Sequence, residues 1–312
     1  MTRFLRHETI LAVLAVIVLG ILAYQSDRFF TVDNLLNQGR LMTEVGLVAI
    51  LMTFVIAAGG IDLSVGSIIG LTAILTGVFW QSVGLPLPLA ALAAIACGTF
   101  GGFANGVIIT RFGVPPLIAT LATLALYRGL AEGISQARSV RGYPEWFFVL
   151  GQGEVLGVPT QLWILIVFAI GAAAILGLTT FGRATYAVGA NETAARFSGI
   201  NVDRTKLLIY TASGLVSGIA AVIFVSRVST TRSDMGTGVE LDVITAVVLG
   251  GTSIFGGRGT IIGTVIGLIL VQALKNGLAL SGVKGDGTIV VIGVVLIFAI
   301  LASNLFSRNG DG

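Results

Sequence analysis

Residues capable of acid–base, metal-binding or nucleophilic chemistry are few in this sequence and lie far apart. One cysteine, Cys97, excludes an intramolecular disulfide, and one histidine, His7, excludes a histidine-rich metal site. The segment around Ser253, Gly-Thr-Ser-Ile-Phe, lacks the closing glycine of a nucleophile elbow. No segment matches G-x-x-x-x-G-K-[ST], the loop that holds the phosphates of ATP. The residue types therefore predict no metal site, no cofactor and no catalytic centre in this chain.

Asp62 is a charge inside an apolar region, in the segment Gly-Gly-Ile-Asp-Leu-Ser-Val-Gly at residues 59–66. An ionised aspartate at the centre of a bilayer costs about 2.5–3.5 kcal/mol. We therefore expect Asp62 to lie at a helix end, where it caps the backbone of Ser64 and Val65. The alternative is a transport role, because broken helices are common at the substrate sites of transporters.

A second interruption covers residues 249–259, Leu-Gly-Gly-Thr-Ser-Ile-Phe-Gly-Gly-Arg-Gly. Backbone outside a helix is tolerated at membrane depth only when it is buried in protein or lines a wet cavity. The two interruptions therefore supply candidate functional positions: Gly59, Gly60, Asp62, Ser64, Gly66, Gly250, Gly251, Ser253, Gly256, Gly257 and Gly259.

Other polar residues inside apolar runs are Glu44, Asn105, Gln272, Lys275 and Asn276. Asn105, Gln272 and Asn276 are candidates for a substrate path, although neighbouring helices could equally satisfy all five. The carboxylates form no linear series that suggests a proton relay, which argues against a proton-coupled carrier.

The composition is that of a membrane protein. Of 312 residues, 55% are hydrophobic and 11% are charged, whereas soluble domains carry roughly 25% charged residues. The mean hydropathy is +0.99. The net charge of +3 and the absence of a basic stripe argue against nucleic-acid binding. We expect one all-α transmembrane domain over residues 1–312, with membrane lipid as its surroundings.

Ten apolar runs are candidate spans, since about 20 residues cross the hydrocarbon core. The run at 243–255 is short and ends in glycines, so it suggests a broken span. We expect both termini on the cytoplasmic side, although the 18 Lys and Arg residues then divide equally and do not decide the orientation. The runs are 9–25, 42–58, 64–83, 86–109, 115–131, 161–180, 207–226, 243–255, 260–281 and 288–306.

Glycines recur at four-residue spacing, which places each set on one face of a helix and permits close helix approach. Static packing and sliding helices are both compatible with this spacing. The sets are Gly98, Gly102 and Gly106; Gly66 and Gly70; Gly214 and Gly218; Gly263 and Gly267.

The polar loop at 181–206 predicts a short helix over residues 192–198. Asn191 is a good N-cap, Glu192 suits the helix start and Gly199 suits the end. A second helix is expected to begin at Asp203. Two turns of helix are unstable alone in water, so the short helix needs the membrane interface or a partner protein. Its small residues, Ala194, Ala195 and Ser198, favour the partner.

This loop resembles the coupling loop of the ribose-type sugar ABC importer permeases. Residues 59–66 look like the early signature of the same family, and residues 246–259 look like its late one. The three motifs occur in the family's order, and the resemblance covers essentially the whole chain. The resemblance assigns ATPase coupling to Gly189, Asn191, Glu192, Ala194, Ala195, Arg196, Ser198 and Gly199.

The resemblance implies the fold of the larger, cobalamin-importer-like permeases, with about ten helices in the bacterial inner membrane. It implies three kinds of partner: a second permease, a two-domain ABC ATPase and an extracytoplasmic sugar-binding protein. The expected cargo is ribose, xylose, galactose, rhamnose or autoinducer-2, and residues 231–236 look closer to the rhamnose and autoinducer-2 branch. The alternatives are an ion-coupled secondary transporter that works alone and, third, an intramembrane enzyme.

Two predicted outer loops, 132–160 and 227–242, carry mixed charges suited to docking a binding protein. An ordinary solvated loop is the alternative. The charged residues are Arg138, Arg141, Glu145, Glu154, Arg232, Asp234, Glu240 and Asp242.

Overall fold

Helices make up nearly all the secondary structure in the described part of the chain. A computed structural model describes residues 27–283 and 285–308, together with residues 16, 19, 20 and 24. The helices are α1 (Val32–Ala57), α2 (Val65–Gly77), α3 (Leu87–Arg111), α4 (Pro116–Ser135), α5 (Val149–Gln152), α6 (Thr160–Leu178), α7 (Thr180–Ala190), α8 (Glu192–Phe197), α9 (Val202–Val228), α10 (Val239–Leu249), α11 (Ile261–Leu280) and α12 (Gly285–Arg308).

Four two-residue strands and two irregular turns complete the secondary structure. A π-helical turn, Val78–Ser82, extends α2, and a 3-10 turn, Glu145–Phe148, precedes α5. The strands form two antiparallel pairs. They are β1 (Val140–Arg141) with β4 (Thr230–Thr231), and β2 (Glu154–Val155) with β3 (Val158–Pro159).

Seven of the described helices are long and apolar enough to cross a membrane, which confirms a helical, multi-pass membrane protein. They coincide with seven of the ten predicted runs: α1, α2 with its π-helical extension, α3, α4, α6, α9 and α11. The predicted run 9–25 lies almost entirely outside the described residues, and the run 288–306 falls within α12. The short run at 243–255 is α10, a half-length helix of 11 residues.

Two predicted boundaries were wrong. Residues 25–41 were expected to form a loop, but α1 begins at Val32, after the N-cap Thr31. The first turns of α1 are polar, so a search for apolar runs cannot detect them. Likewise, the loop expected at 181–206 contains α7, which has a glycine near each end and a polar residue on most turns.

The α3–α9 contact uses the glycine spacing seen in the sequence. A Cβ at Gly102 would collide with the carbonyl oxygen of Tyr210 and would lie 2.7 Å from the nitrogen of Gly214. Because both neighbours are backbone atoms, no side chain can move aside to make room. Gly98, Gly102 and Gly214 therefore form a packing contact between helix backbones.

The chain before α10 enters the protein as a series of turns over residues 233–238. Thr231 lies beside Gly77 near one end of α2, whereas Gly236 contacts Gly66 near the other. These glycines are eleven residues apart, which is about 16 Å along a helix. Helix α10 therefore begins inside the protein, beside the first residues of α2, after a non-helical segment of turns.

Arg128 on α4 holds this segment of turns in place. Its guanidinium donates hydrogen bonds to the carbonyl oxygens of Ser233 at 2.6 Å, Met235 at 2.9 Å and Gly66 at 3.3 Å. Backbone carbonyls outside a helix require such partners at membrane depth. The arginine thus supplies hydrogen-bond donors to carbonyl oxygens that backbone N–H groups would satisfy in a continuous helix.

The α3–α9 contact predicts that Gly102→Ala destabilises the protein. The added methyl group meets only backbone, and overpacking typically costs about 1–3 kcal/mol. We expect a melting temperature several degrees lower in detergent, measured by thermal unfolding followed by size-exclusion chromatography. Gly171→Ala on α6 is the matched control, because a Cβ there meets nothing within 4 Å. Equal melting temperatures for the two variants would contradict a stabilising role for the backbone contact.

Candidate functional site

Three sequence motifs that lie far apart along the chain meet at one point. The nitrogen of Gly257 donates a hydrogen bond to the carbonyl oxygen of Ala57 at 2.9 Å. A Cβ at Gly189 would collide with that same carbonyl oxygen and would lie 2.7 Å from the nitrogen of Gly257. Gly59 and Gly256 flank the contact. We call Gly59, Gly189, Gly256 and Gly257 the glycine junction.

The junction requires glycine for two reasons. Gly59, Gly256 and Gly257 have φ angles of 79°, 87° and 74°, in the left-handed region that side chains disfavour. Gly189 has helical geometry but no space for a Cβ. The junction therefore joins the end of α1, the end of α7 and the loop after α10 through backbone atoms alone.

The loop after α10 is folded back on itself beside α7. Ser253 donates its backbone N–H to the carbonyl oxygen of Arg258 at 3.0 Å. The hydroxyl of Tyr186 on α7 donates to the carbonyl oxygen of Gly259 at 2.6 Å. Gly250 faces Gly263, so the same loop also packs on the start of α11.

The predicted short helix is confirmed as α8, to within one residue at its end. The side chain of Asn191 accepts a hydrogen bond from the backbone of Ala194 at 2.9 Å, as an N-cap does. Gly199 has φ of 83° and follows the helix, as expected. The next helix begins at Val202 with Asn201 as its N-cap, so the start predicted at Asp203 was one residue late.

Salt bridges hold α8 against the first turns of α9. The Arg196 guanidinium donates to Asp203 at 2.8 and 3.2 Å and lies 3.5 Å from Glu192. Lys206 lies 2.5 Å from the other oxygen of Glu192. The four charges form one network, which fixes the orientation of a helix too short to be stable alone.

The two alanines of α8 have different surroundings. Ala195 is buried against Val188 and Val202, whereas Ala194 is exposed. The expectation that both face a partner was therefore wrong for Ala195. Phe197 was not predicted as a candidate. It lies two residues after Ala195, about 200° around the helix from that buried residue, and its side chain is 89% exposed. An aromatic residue in an otherwise polar loop was the available signal.

Asp62 lies fully buried within a network of hydroxyl groups. It accepts hydrogen bonds from the Ser64 backbone at 3.0 Å, the Ser64 hydroxyl at 2.6 Å and the Ser213 hydroxyl at 2.8 Å. The backbone bond to Ser64 meets part of the capping expectation, but Ser64 is itself the N-cap of α2, and among the described residues no hydrogen bond joins Asp62 to Val65. Within the described residues, no Lys or Arg forms an ion pair with Asp62.

The three predicted path residues separate into two places. The Asn105 amide is fully buried and donates to the Ser64 hydroxyl at 2.8 Å, so it belongs to the Asp62 network. It therefore lies apart from the other two, and its role in a substrate path stays a prediction. Gln272 and Asn276 lie on α11 and contact Gln38 of α1. Gln38 was not among the predicted path residues.

The outer-loop charges are partly committed to internal ion pairs. Glu154 pairs with Arg40 on α1, and Asp242 pairs with Lys275 on α11. Arg232 pairs with Asp234 at 2.5 Å. Glu145 is exposed at the start of the 3-10 turn, and among the described residues it has no ion-pair partner.

The whole sequence was compared with those of known proteins. Residues 34–300 match the family described as the branched-chain amino acid transport system / permease component. The chain therefore belongs to this permease family, as its motifs suggested. No solved structure matches it.

Three relatives illustrate the similarity. The ribose import permease RbsC of Escherichia coli strain K12 is 39% identical over 309 residues, covering 96% of this chain and 94% of the relative. The ribose import permease RbsC of Bacillus subtilis strain 168 is 41% identical over 288 residues, covering 92% and 88%. The autoinducer 2 import system permease LsrD of Yersinia enterocolitica serotype O:8 is 36% identical over 304 residues, covering 96% and 92%.

The Asp62 network predicts different results for two substitutions. Asp62→Asn should leave membrane abundance nearly unchanged, because the amide oxygen still accepts from Ser64 and the Ser213 hydroxyl can accept from the amide nitrogen. Asp62→Leu should lower abundance, since it leaves buried donors unpaired at about 1–3 kcal/mol each. Immunoblotting of membranes together with solute uptake checks both. Normal abundance of Asp62→Asn with abolished uptake would instead assign the charge to transport.

Proposed function

We propose that this chain is the permease subunit of an ATP-binding-cassette importer that brings a monosaccharide or sugar-like solute into the cell. The observation that carries the proposal is the permease family membership together with relatives named for ribose and autoinducer-2 import. The cargo is of the rhamnose, autoinducer-2, ribose or xylose type. Identities of 39% and 36% to the two kinds of relative are too close to select one cargo.

The complex contains two permeases of the larger, cobalamin-importer-like type, a two-domain ABC ATPase and an extracytoplasmic sugar-binding protein. It lies in the bacterial cytoplasmic membrane, with α8 and both termini on the cytoplasmic side. The permease itself is not catalytic, and the ATPase is a separate chain. An ion-coupled carrier working alone remains the alternative, but such a carrier needs no docking helix.

Helix α8 has the features of an ATPase docking element. Its inner face is anchored by Ala195, and the salt bridges to Asp203 and Lys206 fix its direction. Its outer face presents Ala194 and the exposed ring of Phe197. Exposed aromatic residues that enter a partner's pocket often dominate the binding energy of an interface.

The proposal predicts that Phe197→Ser weakens ATPase binding about 30-fold or more, the loss typical of an aromatic interface anchor. The change should leave the fold intact because the side chain is 89% exposed. The affinity of the purified ATPase for the permease in nanodiscs is the measurement. The control is Phe112→Ser. Phe112 is also an exposed phenylalanine, at 76%. It lies near the same part of the surface, because the charge of its neighbour Arg111 interacts with Asp203 at the start of α9.

Two further variants test the surroundings of Phe197. Ala194→Trp adds bulk to the outer face, and Gly199→Val strains a backbone with φ of 83°. Both should insert normally yet release the ATPase or uncouple hydrolysis from uptake. If all three variants insert, retain the ATPase and import at the normal rate, α8 is not the coupling element.

The opposite face of the permease receives the binding protein. Glu145 is the suitable test residue, because reversing Glu154 would also break its pair with Arg40. We expect Glu145→Lys to reduce binding-protein-stimulated ATPase activity most strongly at low salt. Asp33→Lys, the reversal of an exposed acidic residue outside the two loops, is the control for a generally altered surface. Unchanged stimulation at low salt would exclude Glu145 from the docking surface.

A further inference from the structure

An open cleft of about 340 Å³ lies between α1 and α11, toward the end of the protein opposite α8. Gln38 is nineteen residues before Ala57, so it lies about 28 Å along α1 from the glycine junction. The polar lining residues are Gln38, Gln272, Lys275 and Asn276, and Leu41 and Val45 supply apolar wall. The volume lies within the range of small-molecule sites.

Three amide side chains in the cleft form a continuous series of hydrogen bonds. Gln272 Nε2 donates to Gln38 Oε1 at 2.7 Å, and Gln38 Nε2 donates to Asn276 Oδ1 at 3.0 Å. Gln38 Nε2 also lies 3.3 Å from Asn34 Oδ1. Among the described residues, nothing bonds to Gln272 Oε1 or to Asn276 Nδ2. The series therefore ends in one free acceptor and one free donor.

The cleft is electrically neutral. The ammonium group of Lys275 pairs with Asp242, and both side chains are largely buried. Amides in contact with hydrocarbon would leave polar groups unsatisfied, at a cost of several kcal/mol. These amides therefore need water or a polar solute in the cleft. Neutral solutes carrying neighbouring hydroxyl groups fit best, because each hydroxyl both donates and accepts, as an amide does.

The geometry points to the amides of Gln38, Gln272 and Asn276 as a site for sugar hydroxyls on the translocation path. This inference rests on the proposed function and adds the residues that handle the sugar inside the permease. The affinity of this site for a sugar is low, because neutral hydrogen bonds to the sugar exchange readily with hydrogen bonds to water. A sugar therefore passes from the binding protein to the site and is released onward. Leu41 and Val45 offer an apolar wall for the carbon face of the ring.

The first test asks whether the cleft is wet. Single cysteines are introduced at Gln272 and, as a control, at Ile170 in a Cys97→Ser background. Ile170 is an exposed apolar residue on α6, away from the cleft. We expect a charged, water-soluble methanethiosulfonate reagent to modify Gln272→Cys but not Ile170→Cys in intact cells. An unreactive Gln272→Cys would mean that lipid or another subunit covers the cleft, and would overturn the proposal.

The second test measures transport in proteoliposomes containing the ATPase and the binding protein. The solutes are D-ribose, D-xylose, L-rhamnose and autoinducer-2. Gln272→Leu and Asn276→Leu should each lower the maximal uptake rate about tenfold, because buried donors and acceptors lose their partners. The solute concentration for half-maximal uptake should stay unchanged, since the binding protein sets it. The conservative Gln272→Asn should retain more activity than Gln272→Leu.

The outcomes separate this inference from the function on which it rests. If the wild-type complex imports none of the four solutes with ATP, the proposed function fails. If it imports one of them and both leucine variants transport at the normal rate, only the hydroxyl site is wrong. Should the leucine variants fold poorly, the thiol-modification result still decides whether the cleft is accessible to water.

Discussion

Backbone-to-backbone contact at glycine is the constraint on which this structure depends. At the glycine junction, the carbonyl oxygen of Ala57 receives a hydrogen bond from Gly257 and leaves no room for a Cβ on Gly189. The same kind of contact joins α3 to α9 at Gly102. Close-packed backbones deform less easily than side-chain contacts, so segments joined in this way move together or not at all.

The junction connects α8, the proposed docking helix, to the interior. Helix α7 ends at the junction and α8 follows directly, so a displacement of α8 acts on the end of α1 and on the loop after α10. The Asp62 network lies just beyond Gly59 and reaches α9 through Ser213. Packing at the junction and the Ser213 hydrogen bond therefore link α8 to two parts of the core, the loop after α10 and helix α9.

Local signals predicted much of this architecture, and tertiary contacts determined the rest. The bounds of α8 were predictable because its N-cap at Asn191 and its stop at Gly199 are local. The location of Asn105 was not predictable, since nothing in the sequence of a single helix distinguishes a residue that faces a buried carboxylate from one that faces a substrate path. Gln38 was missed because polar residues that face a cleft interrupt an apolar run. The descent before α10 depends on Arg128, which lies about a hundred residues earlier.

The start of α10 inside the protein has an electrical consequence. Its first turn carries Glu240 and Asp242, where the positive end of a helix dipole favours acidic groups. Arg128 interacts electrostatically with Glu240, and Lys275 pairs with Asp242. The two acids and two bases sum to zero when all four are ionised, so a shift of this cluster as a unit carries no net charge through the membrane potential. Each uncompensated charge would exchange about 2.3 kcal/mol per 100 mV with that potential. Because Arg128 lies on α4 and Lys275 lies on α11, the half-helix keeps its acidic charges compensated only when it moves together with both of these helices.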